Sequence, residues 1–370
     1  MGRFICFFAA MALLLAVMLT SAQAQGTTTA PGNGPPAAGT YAGRPMGVGV
    51  VPAPPTNFNP LTASPAVNAQ YGIPPAPDPT IAPGAYNEWR RAVTGPQVRV
   101  APVLRQTTIL HGPLQKRGAT VPLANANNVV TTTSTNWSGS SVVNSQNPFQ
   151  LEAIIAEFVV PTARQAFGSC TGGTDYAAIW PGIDGNGSKD VLQAGVEVDA
   201  YCNGGTTQGY YSAWIEWYPN YATEVTSPVI HPGDLVLVEV FNTTPTNGYA
   251  YFMNFSTQEV AVYQLTAPGG TTLVGNSVEW IVERPTLNTG LANLTNYIAA
   301  PLSYEIAWNY TANPSTYYYA GYTPPAGTLE LITMLDNNNK GISSATVENF
   351  YFLWFQNFGS SCGISGAPPC

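Results

Sequence analysis

The sequence predicts an all-β protein, an antiparallel β-sandwich or barrel over residues 125–370, preceded by a Pro-rich leader over residues 25–124. Two observations predict the sandwich: the runs of β-branched and aromatic residues are short, and Gly, Pro, Asn and Ser clusters separate them. In addition, no long segment of this region has the apolar period of a helix. Only 9% of the 370 residues are charged, so the positions of the charges are informative.

Eight segments carry the strand pattern most clearly. They are LEAIIAEFVVP, DLVLVEVFNTT, YAYFMNFST, EVAVYQLT, SVEWIVERP, YEIAWNY, TLELITML and VENFYFLWF. Many short strands with frequent turn signals are typical of sandwiches and barrels, in which sheets pack face to face around one core.

The chain begins with the layout of a secretory signal peptide. Residues 1–24, MGRFICFFAAMALLLAVMLTSAQA, combine one basic residue, an apolar run and a small-residue end at Ala22 and Ala24. The apolar run is short for a membrane span, and no second run of that length follows. We therefore expect a secreted protein that is not held in a membrane.

The leader has the composition of a pro-segment or linker. It contains 18 of the 33 prolines and carries a net charge of +5, whereas residues 125–370 carry a net charge of −14. Such a Pro-rich segment does not bury enough apolar surface to fold alone. We expect residues 86–120 to inhibit the domain and to be released by acid, with the stretch VRVAPVLRQTTILHGPLQKRG lying as an extended strand in an acidic groove that acid protonates.

Cysteine and histidine usage limits the possible chemistry. Four cysteines remain after the signal peptide, an even number that suits disulfides in an oxidising compartment. Three pairings are possible, and local loop closure favours Cys170 with Cys202 and Cys362 with Cys370. The two histidines fit neither a metal motif nor a Ser-His-Asp triad, so we expect no metal and no cofactor. Any catalysis must then use carboxylates and amides.

Three predicted strands have an acid-bearing face opposite an apolar face, because side chains alternate along a strand. In VLQAGVEVD, Gln193 and Glu197 share a face; in SAWIEWYP, Trp214 and Glu216 do so; in SVEWIVERP, Glu283 lies on the polar face. A solvent-facing sheet would explain each strand alone. However, the acids are accompanied by aromatics, glycine and amide rather than lysine, which favours a ligand groove.

These motifs resemble a known family. In order along the chain, they are Trp137 in TNWSGS, Trp180 in WPGIDG, Gln193 in LQAG, the run AWIEWYP and Glu283 in VEWIVE. Together they resemble the eqolisins, the glutamic peptidases of family G1, over most of residues 130–290.

The resemblance implies a fold, an activity and a set of site residues. It implies a lectin-like sandwich of two bent sheets with the active site on the concave face, and an acid-active endopeptidase with Glu283 as general base and Gln193 as oxyanion donor. The supporting residues would be Trp137, Trp180, Asp184, Trp214 and Glu216.

Two other functions stay open at this point. A carbohydrate-binding or glycoside-hydrolysing sandwich would also use aromatics and paired carboxylates, and an adhesion domain would use the Pro-rich leader as a stalk. For a peptidase we expect protein or peptide substrates, the chain's own pro-segment as inhibitor, no nucleic acid, no membrane partner and a monomeric state.

Overall fold

The computed structural model describes residues 45, 47–99, 101–124, 126–144, 152–165, 173–322, 327–349 and 352–357. The predicted signal peptide and the first part of the leader lie outside these residues. Within them, no helix has both the length and the apolar character needed to cross a membrane.

The described chain is built mainly of β-strands. The leader contains β1 (Val48–Val50), α1 (Pro65–Gln70), α2 (Pro83–Thr94), β2 (Val98–Arg99), β3 (Leu104–Gln106) and β4 (Val121–Pro122). The domain begins with β5 (Val129–Ser134), β6 (Trp137–Val143), β7 (Ala153–Val159), β8 (Thr174–Asp175), β9 (Ala178–Ile183), β10 (Val191–Asn203), β11 (Thr206–Tyr218) and β12 (Thr223–Val225). It continues with β13 (Leu235–Thr244), β14 (Asn247–Asn254), β15 (Glu259–Thr266), β16 (Ser277–Glu283), β17 (Thr286–Leu287), β18 (Gly290–Leu291), β19 (Ala299–Trp308), β20 (Tyr317–Tyr319), β21 (Thr328–Leu335), β22 (Gly341–Asn349) and β23 (Phe352–Asn357).

The long strands form two layers. The first sheet runs in the order β12, β11, β10, β9, β16, β6 and β21, and the second runs β15, β14, β13, β7 and β19. Strands β22 and β23 connect β21 to β19, so strand pairing is continuous between the two layers. These neighbours are antiparallel, whereas β5 and β2 each pair in parallel with an outer strand, β21 and β15 respectively. The predicted β-sandwich is therefore correct, with parallel pairs added at the edges.

The main core lies between the two sheets. From the first sheet it takes the apolar face of β10, with Leu192, Ala194 and Val196, and from the second it takes residues such as Val238 and Phe252. The alternation of the sequence thus directs the aliphatic side chains of β10 inward. The opposite face of the first sheet carries the acids, and the candidate site lies on that face.

The leader packs on the domain instead of remaining an isolated coil. Pro83 occupies the first turn of α2, where its missing N–H costs nothing, and Gly95 follows the last helical residue. Trp89 is buried against the outer face of the second sheet, and its indole nitrogen donates to the Pro74 carbonyl oxygen at 3.0 Å. Arg91 adds an ion pair of 2.6 Å with Glu157 of β7.

Residues 86–94 of the leader belong to α2 because Ala85, Trp89, Ala92 and Val93 form one apolar helical face that the domain covers. One prediction about local structure was wrong. The run VENFYFLWF, expected to be one strand, is divided between β22 and β23, which pair with each other up to Asn349 and Phe352. Its aromatic content resembles a continuous strand, but the second half folds back as the partner of the first.

Candidate active site

The predicted catalytic pair lies on one face of the first sheet. Gln193 is opposite Gly182 of β9 and Glu216 of β11, while Glu283 of β16 is opposite Ala178 of β9 and Trp137 of β6. Gln193 and Glu283 have no exposed surface. Strand pairing therefore places both residues on the same sheet face on either side of β9, at partner positions four residues apart, although they are 90 positions apart in the sequence.

Glycines make room for Trp180 between these strands. A Cβ atom at Gly182 would lie 2.7 Å from the Trp180 ring, and a Cβ atom at Gly195 would lie 2.6 Å from Trp180 Cβ and 2.2 Å from the Ile179 carbonyl oxygen. Neither contact is tolerable for a real side chain. The two glycines therefore allow the indole ring to lie on the sheet surface, where Trp137 meets it edge to face at 5.0 Å.

Glu283 is held by two donors. The Trp180 indole nitrogen donates to Glu283 Oε2 at 3.0 Å, and Asn136 Nδ2 donates to Glu283 Oε1 at 3.3 Å. Burial raises the pKa of Glu283 well above the usual value for a glutamate, and the negative charge of Glu216 adds to the rise, while the charge of His111 opposes it. Burial thus favours the protonated form of this carboxyl.

The leader crosses the face that carries the predicted catalytic pair as an extended segment. Leu110 forms a β-bridge with Thr286, just after β16, and the Leu114 nitrogen donates to the Gly185 carbonyl oxygen at 3.1 Å. Between these two anchors, Gln193 Nε2 donates to the carbonyl oxygen of His111. A peptide carbonyl of the leader is thus bound by the amide that was predicted to bind an oxyanion.

The His111 side chain occupies a closed pocket, the His111 pocket, formed by Glu197, Trp214 and Glu216. Its Nε2 lies 2.7 Å from Glu197 Oε1, its Nδ1 lies 3.0 Å from Glu216 Oε2, and its ring stacks on Trp214 with centroids 3.8 Å apart. The main-chain nitrogen of His111 also donates to both Glu216 oxygens. The pocket contacts the ring, both ring nitrogens and the main chain.

The ionisation of this pocket is shifted in both partners. Burial alone would lower the pKa of His111, but the carboxylates of Glu197 and Glu216 outweigh it and raise the pKa to about 10. Burial raises the pKa of Glu216 to about 7, although its hydrogen bond with His111 acts in the opposite direction. His111 is therefore cationic at neutral pH.

Of the predicted supporting residues, four gather on this face and one lies beside it. Trp137, Trp180, Trp214 and Glu216 line the face, as described above. Asp184, with a φ of 70°, directs its carboxylate to the backbone instead: its oxygens accept from the nitrogens of Val274, Gly275 and Asn276 at 2.6, 3.1 and 3.0 Å. Asp184 thus fixes the loop that leads into β16, the strand that carries Glu283.

Two site residues were not predicted. Asn136 contacts Glu283 and the carbonyl oxygens of Gly112 and Pro113, and His111 fills the pocket. Asn136 directly precedes Trp137 in TNWSGS, and His111 lies in the basic segment expected to enter an acidic groove. Sequence reasoning treated both as background because neither residue belongs to a catalytic pattern by itself.

The predicted disulfides stay predictions. Cys202 lies near the end of β10, close to the tip of the β10–β11 hairpin, and it is not without an interaction partner. Cys170, Cys362 and Cys370 lie outside the described residues, so their pairing has no structural description.

Comparison with known proteins identifies the family. The family model of the Peptidase A4 family matches residues 135–320, which is half of the chain and includes β6, β10, β11 and β16. The chain belongs to the Peptidase A4 family. The resemblance to the eqolisins is thereby confirmed, and membership of the Peptidase A4 family favours a peptidase over the sugar-binding and adhesion alternatives.

Two curated proteins are similar in sequence. Aspergillopepsin-2 of Aspergillus niger is 30% identical over 165 residues, which cover 40% of this chain and 56% of that protein. Scytalidopepsin B of Scytalidium lignicola is 29% identical over 163 residues, which cover 44% of this chain and 56% of that protein. The chain thus spans about half the length of these Peptidase A4 relatives.

Two solved structures are also similar. Scytalido-glutamic peptidase with a transition state analog inhibitor matches with a TM-score of 0.46 and 19% identity, over 60% of this chain and 98% of that chain. Aspergilloglutamic peptidase from Aspergillus niger matches with a TM-score of 0.42 and 24% identity, over 50% and 99% of the two chains.

Proposed function

We propose that this Peptidase A4 family member is a secreted, acid-active endopeptidase that hydrolyses peptide bonds of proteins, with Glu283 as general base and Gln193 as oxyanion donor. The observation that carries the proposal is the hydrogen bond from Gln193 Nε2 to the His111 carbonyl oxygen, on the sheet face that also carries the buried Glu283. The site already binds a peptide carbonyl by the group that the mechanism requires.

The reaction needs only water and these two side chains. Glu283, as a carboxylate, takes a proton from a water molecule while the water oxygen attacks the carbonyl carbon of the substrate. The developing negative charge on the carbonyl oxygen is stabilised by the Gln193 NH2 group. Glu283 then returns the proton to the leaving nitrogen, the C–N bond breaks, and the products are a carboxylic acid and an amine.

The neighbours of the pair support this assignment of roles. Asn136 and Trp180 each donate to a different oxygen of Glu283, which fixes the carboxyl plane. Gln193 does not titrate, so one ionisation controls the base. Asp184 is a positioning residue, because it holds the loop before β16.

The leader would act as an intramolecular inhibitor in two ways. Residues 107–115 occupy the site, which excludes substrate, and the burial of Glu283 in the leader-bound structure raises its pKa, which disfavours the carboxylate that the mechanism needs. Removal of the leader returns the carboxyl to water, and its pKa falls toward the ordinary value of about 4.3. An exposed Glu283 would then serve as base in mildly acidic solution.

Further expectations belong to the same proposal. Residues 1–24 would direct export and be removed, residues 25–124 would be the pro-segment, and residues 125–370 the peptidase domain. The mature enzyme would be a monomer, with disulfides formed after export.

The test is digestion of an unfolded protein at about pH 4, near ordinary carboxylate pKa values, by the acid-treated full chain. We expect Glu283→Gln to reduce kcat by about 10²- to 10⁴-fold, as for loss of a general base, and Gln193→Ala by about 10²- to 10³-fold, as for loss of an oxyanion donor.

Glu239→Gln is the matched control, because Glu239 is also a fully buried glutamate but lies on β13 of the second sheet. This variant should digest the protein as the wild type does. Equal digestion by wild type and Glu283→Gln would show that another group is the base, and no digestion by the wild type would refute the proposed activity.

A further inference from the structure

We propose that the His111 pocket binds the side chain immediately before the cleaved bond and makes the enzyme select histidine at that position of its substrates. This inference rests on the proposed function and names a substrate preference for the same site. It assigns to Glu197, Trp214 and Glu216 a role in substrate recognition.

The position of the pocket follows from the carbonyl that Gln193 binds. Because the His111 carbonyl oxygen accepts from Gln193 Nε2, the His111–Gly112 bond occupies the place of the bond to be cleaved. On its other side, Asn136 Nδ2 lies 3.4 Å from the Gly112 carbonyl oxygen and 3.3 Å from Glu283 Oε1, so one amide contacts both the leader and the base. The side chain on His111 is therefore the one that precedes this bond.

The shape and polarity of the pocket match an imidazole ring. The ring of His111 lies nearly parallel to Trp214, with 20° between their planes, and each ring nitrogen meets a different carboxyl group. Histidine has no exposed surface here. A flat ring with donors on two edges fits this pocket, whereas phenylalanine supplies the ring without the donors.

Leaving the two carboxyl groups without donors has a measurable consequence. A buried polar group that loses its partner is expected to reduce binding or catalysis by about 10-fold or more, and sites built around substrate N–H groups discriminate strongly against analogues that lack them. The same match operates in acid. Histidine is then a cation with two N–H donors, and a protonated carboxyl still accepts through its carbonyl oxygen.

The test uses two peptides that differ only at this position. One is the leader sequence TTILHGPLQ, residues 107–115, and the other has phenylalanine in place of histidine. Both are incubated at about pH 4 with the acid-treated full chain, and the products are identified by mass. We expect cleavage between His and Gly, and a kcat/KM at least about 10-fold higher for the histidine peptide, from the penalty for unpartnered carboxyls.

Variants distinguish selection of histidine by this pocket from a general change in activity. Glu197→Leu should remove one acceptor and bring the ratio of the two kcat/KM values to about one or below, while Glu197→Gln, which keeps one acceptor, should reduce it less. Glu224→Gln is the matched control, because Glu224 of β12 binds Arg105 of the leader at 3.2 Å, and it should keep the wild-type ratio.

Digestion of an unfolded protein is run in parallel to distinguish the two proposals. If the unfolded protein is digested while the two peptides are cleaved equally, the histidine preference is refuted and the peptidase function stands. A ratio that persists in Glu197→Leu also refutes selection by this pocket. If neither the peptides nor the unfolded protein is cleaved, the proposed function fails and the preference with it.

Discussion

Replacement of His111 by glutamine should destabilise the full-length chain at neutral pH. His111 is fully buried and joins two carboxylates from neighbouring strands, Glu197 of β10 and Glu216 of β11. The variant removes a cation but leaves both acids inside the protein. Loss of one partner from a buried ion pair is more costly than replacement of all partners together, because a buried charge stays uncompensated.

Two independent routes give the magnitude. The pKa of His111 rises from 6.5 to about 10, and at 1.36 kcal/mol per pKa unit the interval between pH 7.5 and this pKa corresponds to about 3 kcal/mol of stabilisation. Mutational experience with buried ion pairs gives about 3–5 kcal/mol. We therefore expect His111→Gln to lower the free energy of unfolding by about 3–4 kcal/mol at pH 7.5, with the pKa shift and the ion-pair range in agreement.

The pH dependence has a definite sign. Because the folded-state pKa of His111 is higher than its unfolded value, its contribution is complete below pH 6.5 and is lost as the pH rises through about 10. The assay is urea unfolding of wild type and His111→Gln at pH 7.5 and pH 10.5. We expect the difference between the two proteins to shrink at the higher pH.

His231→Gln is the control, because the His231 side chain is 52% exposed in a turn. This variant should unfold like the wild type at both pH values. A His111→Gln protein that differs from wild type by less than about 1 kcal/mol at pH 7.5, well below the range for a buried ion pair, would refute the reasoning. A difference that stays constant up to pH 10.5 would refute the assignment of the charge.

The directions of the pKa shifts in the His111 pocket also change the expectation that acid releases the leader. Burial raises the pKa of Glu216 to about 7, so its contribution to folding is complete below about pH 4.5 and is lost as the pH rises through about 7. Protonation of His111 and Glu216 therefore favours the structure with the leader bound. Release by acid would have to come from the more exposed ion pairs of the leader, such as Lys116 with Glu330 at 2.9 Å.

Three further predictions concern the rest of the fold. Gly195→Ala should lower the melting temperature or prevent folding, since the added Cβ would lie 2.2 Å from a carbonyl oxygen. Gly269→Ala is the control, because its Cβ would have open space around it, and equal melting temperatures of the two variants would contradict the packing argument. Burial raises the pKa of Glu239 well above its usual value, so the protein loses stability as the pH rises and this carboxyl ionises; Glu239→Gln should therefore reduce the loss of unfolding free energy between pH 5 and pH 8. Glu348→Gln, at an exposed position, is the control, and an unchanged pH dependence in Glu239→Gln would count against the buried charge. Trp89→Ala should weaken packing of the leader helix by about 3–5 kcal/mol and speed limited proteolysis of the leader at neutral pH, whereas Leu61→Ala, at a side chain that is 45% exposed, should leave the cleavage rate as in wild type.

The sequence by itself determined which side chains share a face. A strand alternates its side chains with a period of two, so the order of residues in VLQAGVEVD and SVEWIVERP is enough to place Gln193 and Glu283 opposite the aliphatic core side. The same local rule marked most of the strands, and the motifs around Trp137 and Trp180 carried the family resemblance.

Only the tertiary structure decided which of these faces meet and what covers them. Glu283 is beside Trp137 because β16 pairs with β6, and a pairing across 146 residues leaves no trace in local periodicity. The composition of the leader did not indicate that it folds on the domain. Helix α2 is amphipathic and buries its apolar face on the second sheet, because a segment that cannot fold alone can still fold against a surface. His111 became a site residue for the same reason, because its two carboxylate partners lie on strands about a hundred residues away.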